Sequence, residues 1–131
     1  MKKLKFLSVL FACGLLFAHC GGTCGGDKTS FLKNFTQFVQ EKSDKSHNDS
    51  RDRLFRQYIK ECYPLHETQM SVGDKKDFWV GVLRYYYQRY GLNMITELSK
   101  EKDLREVLIK GLKEIGLNLE NINIADIIRL L

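Results

Sequence analysis

Apolar residues recur through most of this chain at spacings of three and four, the pattern of helices that each bury one face. Phe31, Leu32, Phe35, Phe38 and Val39 mark a first helix, with Thr29 or Ser30 placed to cap it. Lys42 to Ser50 (KSDKSHNDS) is polar and aperiodic, so it reads as a solvated loop with His47 at the surface. Ser50 offers the next cap, and Leu54, Phe55, Tyr58, Ile59 and Cys62 repeat the apolar stripe. Pro64 restricts Tyr63 and predicts the end of that helix. Leu65 to Met70 follows as a connector, with His66 an ordinary member of it.

The third helix carries the strongest signals. Ser71 with Asp74 resembles a capping box, Asp replacing the usual Glu. Phe78, Trp79, Val82, Leu83, Tyr86 and Tyr90 share one face, and Gly91 supplies the stop. Leu92 to Lys100 is apolar enough at Met94, Ile95 and Leu98 to continue helically. Leu104, Val107, Leu108, Leu112 and Ile115 mark another helix, with Gly116 after it. Asn123 caps a short tail helix expected to bury Ile124, Ile127, Ile128 and Leu131. Ile115, Leu117 and Leu119 alternate as a strand would, but three residues without a partner strand make no sheet. The fold class is therefore all-α, a small bundle of about four to five helices over residues 30–131, large enough for one core.

The start of the chain breaks this pattern. Lys2, Lys3 and Lys5 precede an apolar run from Phe6 to Ala18, interrupted only by Ser8, Cys13 and Gly14. A basic start and an apolar run of this length form a secretory signal, too short for a comfortable membrane span. Residues 1–19 are expected to be a signal peptide and 20–29 a Gly-rich tether. Charge changes meaning with that cut. The full chain has 21 Lys and Arg against 16 Asp and Glu, and losing the three lysines leaves 18 against 16. The basic balance thus gives no reason to expect a nucleic-acid partner.

Where the apolar run ends, Cys20 is followed by Gly21 and Gly22. A bacterial lipoprotein signal places a small residue before a cysteine that is acylated and becomes the new N-terminus. At Cys20 the approach is Leu16-Phe17-Ala18-His19, with the small residue one place early. At Cys13 the approach is Leu10-Phe11-Ala12, a better local fit that leaves the apolar run short. Length selects Cys20 as the lipidation site, with Cys13 the alternative and ordinary cleavage around Ala18 to Gly22 a third route. More than one acyl chain on a cysteine gives stable attachment, and the glycines beyond would act as a flexible link. The other cysteines leave choices open. Cys62 on its apolar stripe reads as a buried free thiol, while a Cys20–Cys24 or Cys24–Cys62 disulfide suits an oxidising periplasm. His19, Cys20 and Cys24 are metal-ligand types, but no second cluster completes a site.

Chemistry is sparse. The histidines fall in the signal region and two loops, the carboxylates are scattered along polar faces, and no nucleophile elbow or phosphate loop appears. Neither enzymatic activity nor a cofactor is expected. Arg51, Arg53, Arg56 and Lys60 form a basic edge diluted by Asp49, Asp52 and Glu61, which reads as a solvated face. The run Tyr85-Tyr86-Tyr87 is more informative, because adjacent tyrosines cannot all enter one core. At about 100° per residue Tyr86 joins the apolar band, Tyr85 flanks it, and Tyr87 falls with Val80 and Arg84 on the other side. Tyrosine and arginine are favoured at contact surfaces. Val80, Arg84 and Tyr87 are the candidate partner-binding residues.

The lipoprotein-like start ending at Cys20, FLKNFTQFVQ, DRLFRQYIKECY and MSVGDKKDFWVGVLRYYYQRYG together resemble small Bacteroidetes lipoproteins with a helical domain of unknown function. The likeness spans roughly residues 1 to 91, including a capped acidic helix start and an aromatic-glycine close. It implies an acylated envelope protein and no particular activity. His19 before the cysteine departs from the pattern, as does Gly21-Gly22-Thr23 in place of acidic residues. The latter implies an outer-membrane anchor facing the periplasm rather than surface display. The expected function is a membrane-tethered helical module binding an envelope protein. The alternative is a soluble periplasmic or secreted protein holding an apolar or glycan ligand between helices.

Overall fold

Asp27 opens the first helix, its side chain accepting the Ser30 backbone N–H at 2.8 Å. The computed structural model describes residues 24–41 and 48–131, so the signal region, Cys13, His19, Cys20 and His47 lie outside the described residues. Helix α1 spans Lys28–Gln40. Its cap is thus upstream of Thr29 and Ser30, both already in the first turn. Asp is as good a cap as Ser, and here it alone precedes the turn. Phe31, Phe35, Phe38 and Val39 are buried, as their spacing requires.

Helix α2 spans Asn48–Gln57, so Ser50 sits inside its first turn rather than capping it. The chain then widens into a π-helical turn over Tyr58–Cys62 and tightens again into α3, Tyr63–His66. Pro64 therefore does not end the helix. A proline inside a regular α-helix lacks one hydrogen bond and clashes with the carbonyl four residues back. The wide turn removes that conflict, and Pro64 falls in the first turn of the restarted α segment, where its missing N–H costs little.

A short 3-10 turn, Glu67–Gln69, leads to α4, Val72–Tyr90, the longest helix among the described residues. The capping box forms as expected. Ser71 Oγ accepts from the Asp74 N–H and Asp74 Oδ2 accepts from the Ser71 N–H, each at 3.0 Å. Gly91, at φ +59°, ends it in a backbone region that favours glycine. Beyond it come α5 (Met94–Lys100), α6 (Arg105–Glu114) and α7 (Ile124–Leu130). The described residues contain no strand, and Ile115, Leu117 and Leu119 lie in a turn between helices. The molecule is an all-α small helical bundle.

Helix α4 is the hub. It packs on α1 through Phe78, whose ring lies 4.5 Å from that of Phe35, and on α6 through Trp79 and Gly111. Trp79, Val82, Leu83, Leu104, Leu108 and Leu112 are wholly buried. The tail contributes less than its pattern predicts. Ile127 is buried and Ile124 half-buried, but Ile128 and Leu131 are exposed, because a seven-residue helix at the margin has one inward edge.

Cys24 and Cys62 form a disulfide, with their α-carbons 4.8 Å apart. This corrects the reading of Cys62 as a free thiol. It also moves Cys24 out of the expected tether at 20–29 and into the folded unit. His66 is corrected with it. The ring is buried, stacks on Phe31 at 5.1 Å, and lies with Nε2 3.0 Å from the Cys24 carbonyl oxygen. That geometry assigns the proton to Nε2, which donates to the carbonyl.

Candidate interaction surface

Val80, Arg84 and Tyr87 recur at intervals of four and three, so they fall along one stripe of α4. Val80 and Arg84 are half-buried, and Tyr87 is 37% exposed. Arg84 takes part in none of the ion pairs of the described residues. The stripe combines apolar area, a phenol and an unpaired guanidinium.

The neighbouring tyrosines do different things. Tyr86 is buried, edge-on to Phe55 at 5.4 Å. Tyr85, expected on the flank, is also buried, stacked on Phe55 at 4.0 Å. Its hydroxyl donates to Asp52 Oδ1. Helix α2 supplies this cover, and no periodicity within α4 could have announced it.

Around Tyr85 and Tyr86 lies a polar cluster that the sequence did not point to. Arg89 pairs with Asp52 at 3.4 Å, and Arg56 pairs with Glu101 at 2.7 Å. Burial first, then the Asp52 carboxylate, pushes the Tyr85 hydroxyl well above the ordinary tyrosine range. Burial and then Glu101 do the same to Tyr86. Protonated phenols and paired charges tie α2, α4 and the turn after α5 together, which is a structural arrangement. A second polar chain links Trp79 to Tyr63 and Glu114. Trp79 Nε1 donates to Tyr63 Oη at 3.2 Å, and Tyr63 in turn donates to Glu114 Oε2 at 3.3 Å. Burial is the main reason that the Tyr63 hydroxyl is pushed up to about 12.

The basic edge of the second helix is only partly a solvated face. Arg51 lies 4.6 Å over the Phe38 ring and donates to the Phe38 and Glu41 carbonyls at 3.0 and 3.2 Å. It thereby satisfies the open end of α1. Arg56 is committed to Glu101, while Arg53 and Lys60 remain exposed. Among the described residues, no group of three or more His, Cys, Asp or Glu could hold a metal ion. None of their helices is long and apolar enough to cross a membrane.

No family model matches the chain, and no curated protein or solved structure matches it either.

Proposed function

We propose that this chain is a membrane-tethered envelope lipoprotein, acylated at Cys20 and facing the periplasm, whose helical domain binds another envelope protein. The observation that carries the reading of an exported protein is the Cys24–Cys62 disulfide. Such bonds persist in oxidising compartments and are rare where thiols are kept reduced. It sits directly downstream of the basic start, the apolar run and Cys20, which is the order an exported and anchored domain needs. The resemblance of its start and helices to small Bacteroidetes lipoproteins supports this reading.

The proposed contact is the Val80, Arg84 and Tyr87 stripe. A face serving only solubility would tolerate Lys, Glu or Gln at Tyr87, as neighbouring Gln88 illustrates. Interface hot spots cost at least about 2 kcal/mol when truncated. The double change Arg84→Ala, Tyr87→Ala is therefore expected to leave helicity and melting nearly unchanged while removing the partner crosslinked in envelope membranes. Early melting of the variant, with partner recovery falling only in proportion, would return these residues to a purely structural role. A soluble mature protein that co-purifies with a small molecule would favour the ligand-binding alternative.

A further inference from the structure

The disulfide fixes where the proposed anchor enters the domain. Only Gly21, Gly22 and Thr23 separate Cys20 from Cys24, and a chain of four residue steps spans at most about 14 Å. Cys24 is in turn locked to Cys62. An acylated Cys20 therefore holds one particular end of the bundle close to the lipid headgroups.

That end is unusual in what it exposes. Leu65 lies one turn beyond Cys62 and is 67% exposed. Val72, the first residue of α4, is 81% exposed. It stands beside the same end, because Asp74, two residues later, holds Lys28 of α1 at 2.8 Å. Lys76 adds an exposed cation that joins none of the ion pairs of the described residues. Neither apolar side chain shields the core, since the residues between them that do so are His66 and Met70. Leu92 is comparably exposed but follows α4 at its far end. A helix of this length measures about 28 Å, roughly twice the reach of the link from Cys20.

Resting on the reading of Cys20 as the acylated residue, we infer that the disulfide end of the domain, through Leu65, Val72 and Lys76, docks on the bilayer that holds the anchor. The occupant is a lipid surface carrying some anionic headgroups. Two apolar side chains are too few to recruit a protein from solution. On a short link they meet the surface at millimolar effective concentration, where weak contacts become populated. The docked domain stands with α4 rising from the membrane, so Val80, Arg84 and Tyr87 are presented above the headgroups.

The test uses the full lipidated protein in vesicles of phosphatidylethanolamine and phosphatidylglycerol, some with brominated acyl chains. Trp79 is buried and constant, so an added tryptophan in L65W, V72W or L92W reports on its own site. Fluorescence at 65 and 72 should be lost to brominated lipid, and fluorescence at 92 should persist. Hydrogen exchange on the unsubstituted protein gives a second reading. Amides of residues 65–73 should slow relative to the soluble Cys20→Ser form, and amides of residues 91–93 should not. Protein that fails to float with the vesicles removes the anchor and the docking together. Protein that floats but shows quenching at 92, or at none of the three sites, leaves the anchor standing and overturns the docking.

Discussion

Gly111 lies directly against the indole of Trp79, so closely that a methyl group on its α-carbon would collide with the ring atoms. Alanine is the better helix former by about 1 kcal/mol, so propensity alone would favour Gly111→Ala. Sterics should win, because overpacking a filled core costs about 1–3 kcal/mol and sometimes more. Gly111→Ala is therefore expected to lower the urea midpoint, and Trp79→Ala to lower it further, through a stability loss of about 3–5 kcal/mol. Gly73→Ala is the control. Its added carbon would meet only Ser71 Oγ at 3.8 Å, so a gain of about 0.4–1 kcal/mol is expected there. A Gly111→Ala protein as stable as the parent would mean that Trp79 does not fill that space.

The disulfide closes a sequence separation of 38 residues. Removing a bridge over a loop of that size is expected to cost about 2–4 kcal/mol, mainly by releasing the unfolded chain. Cys24→Ser with Cys62→Ser should match the reduced parent in denaturant midpoint, and both should fall below the oxidised parent. Alkylation followed by intact mass gives the thiol count directly. Two reactive thiols in protein taken from the envelope would contradict the pairing.

Removing the Asp52 carboxylate should be felt in two places. It accepts from Tyr85 and pairs with Arg89, and Arg89 Nε is already buried without a partner. Asp52→Ala leaves a buried phenol and a guanidinium unsatisfied, at a cost of about 1–3 kcal/mol. Double-mutant cycles with Tyr85→Phe should show coupling, since the two groups share one hydrogen bond. Additive losses would show that the pair does not form in solution.

The pH dependence should have two edges. The Tyr63 hydroxyl is pushed up to about 12, chiefly by burial, and Tyr85 and Tyr86 move upward too. A tyrosine in the unfolded chain ionises near about 10. These groups thus contribute fully below that value, and stability is lost as pH rises through the folded values. On the acid side, Asp74 is held low by Lys28 and the Ser71 N–H, and Asp27 by the Ser30 N–H. Their contribution is present above about 3.9 and is lost as pH falls below it toward the folded values. Melting temperature against pH, read alongside phenolate absorbance, checks both edges. Tyr63, Tyr85 and Tyr86 ionising at ordinary values in folded protein would remove the alkaline edge.

Much of the fold is legible in one sequence because the helices are amphipathic and punctuated by strong local signals. Ser71, Asp74, Gly91 and Asn123 mark ends through local hydrogen bonds and backbone preference, and all four do so in the structure. What fails is whatever depends on a distant residue. Pro64 has a local reading as a breaker, but the π turn before it carries the helix on, burying Tyr58, Ile59 and Cys62. His66 has no local reading at all, since its ring meets Phe31 and the Cys24 carbonyl, which lie at and just before the start of α1, far away in sequence. Tyr85 is hidden by Asp52 and Phe55 for the same reason. Helical spacing alone places Val80, Arg84 and Tyr87 on one stripe of α4, where the structure leaves Tyr87 exposed and Val80 and Arg84 half-buried.

The Cys24–Cys62 bond also decides how the protein responds to being pulled. Tension applied upstream of Cys24 crosses the sulfur bridge and enters the chain at Cys62. Helix α1, the segment to Asn48 and all of α2 then hang off the load path and feel no force. Peeling from the N-terminus cannot begin at α1, although α1 comes first in the chain. Stretching the oxidised protein end to end would leave roughly 130 Å of contour, at about 3.4 Å for each bridged residue, locked inside the loop. Reduction would convert that hidden length into slack.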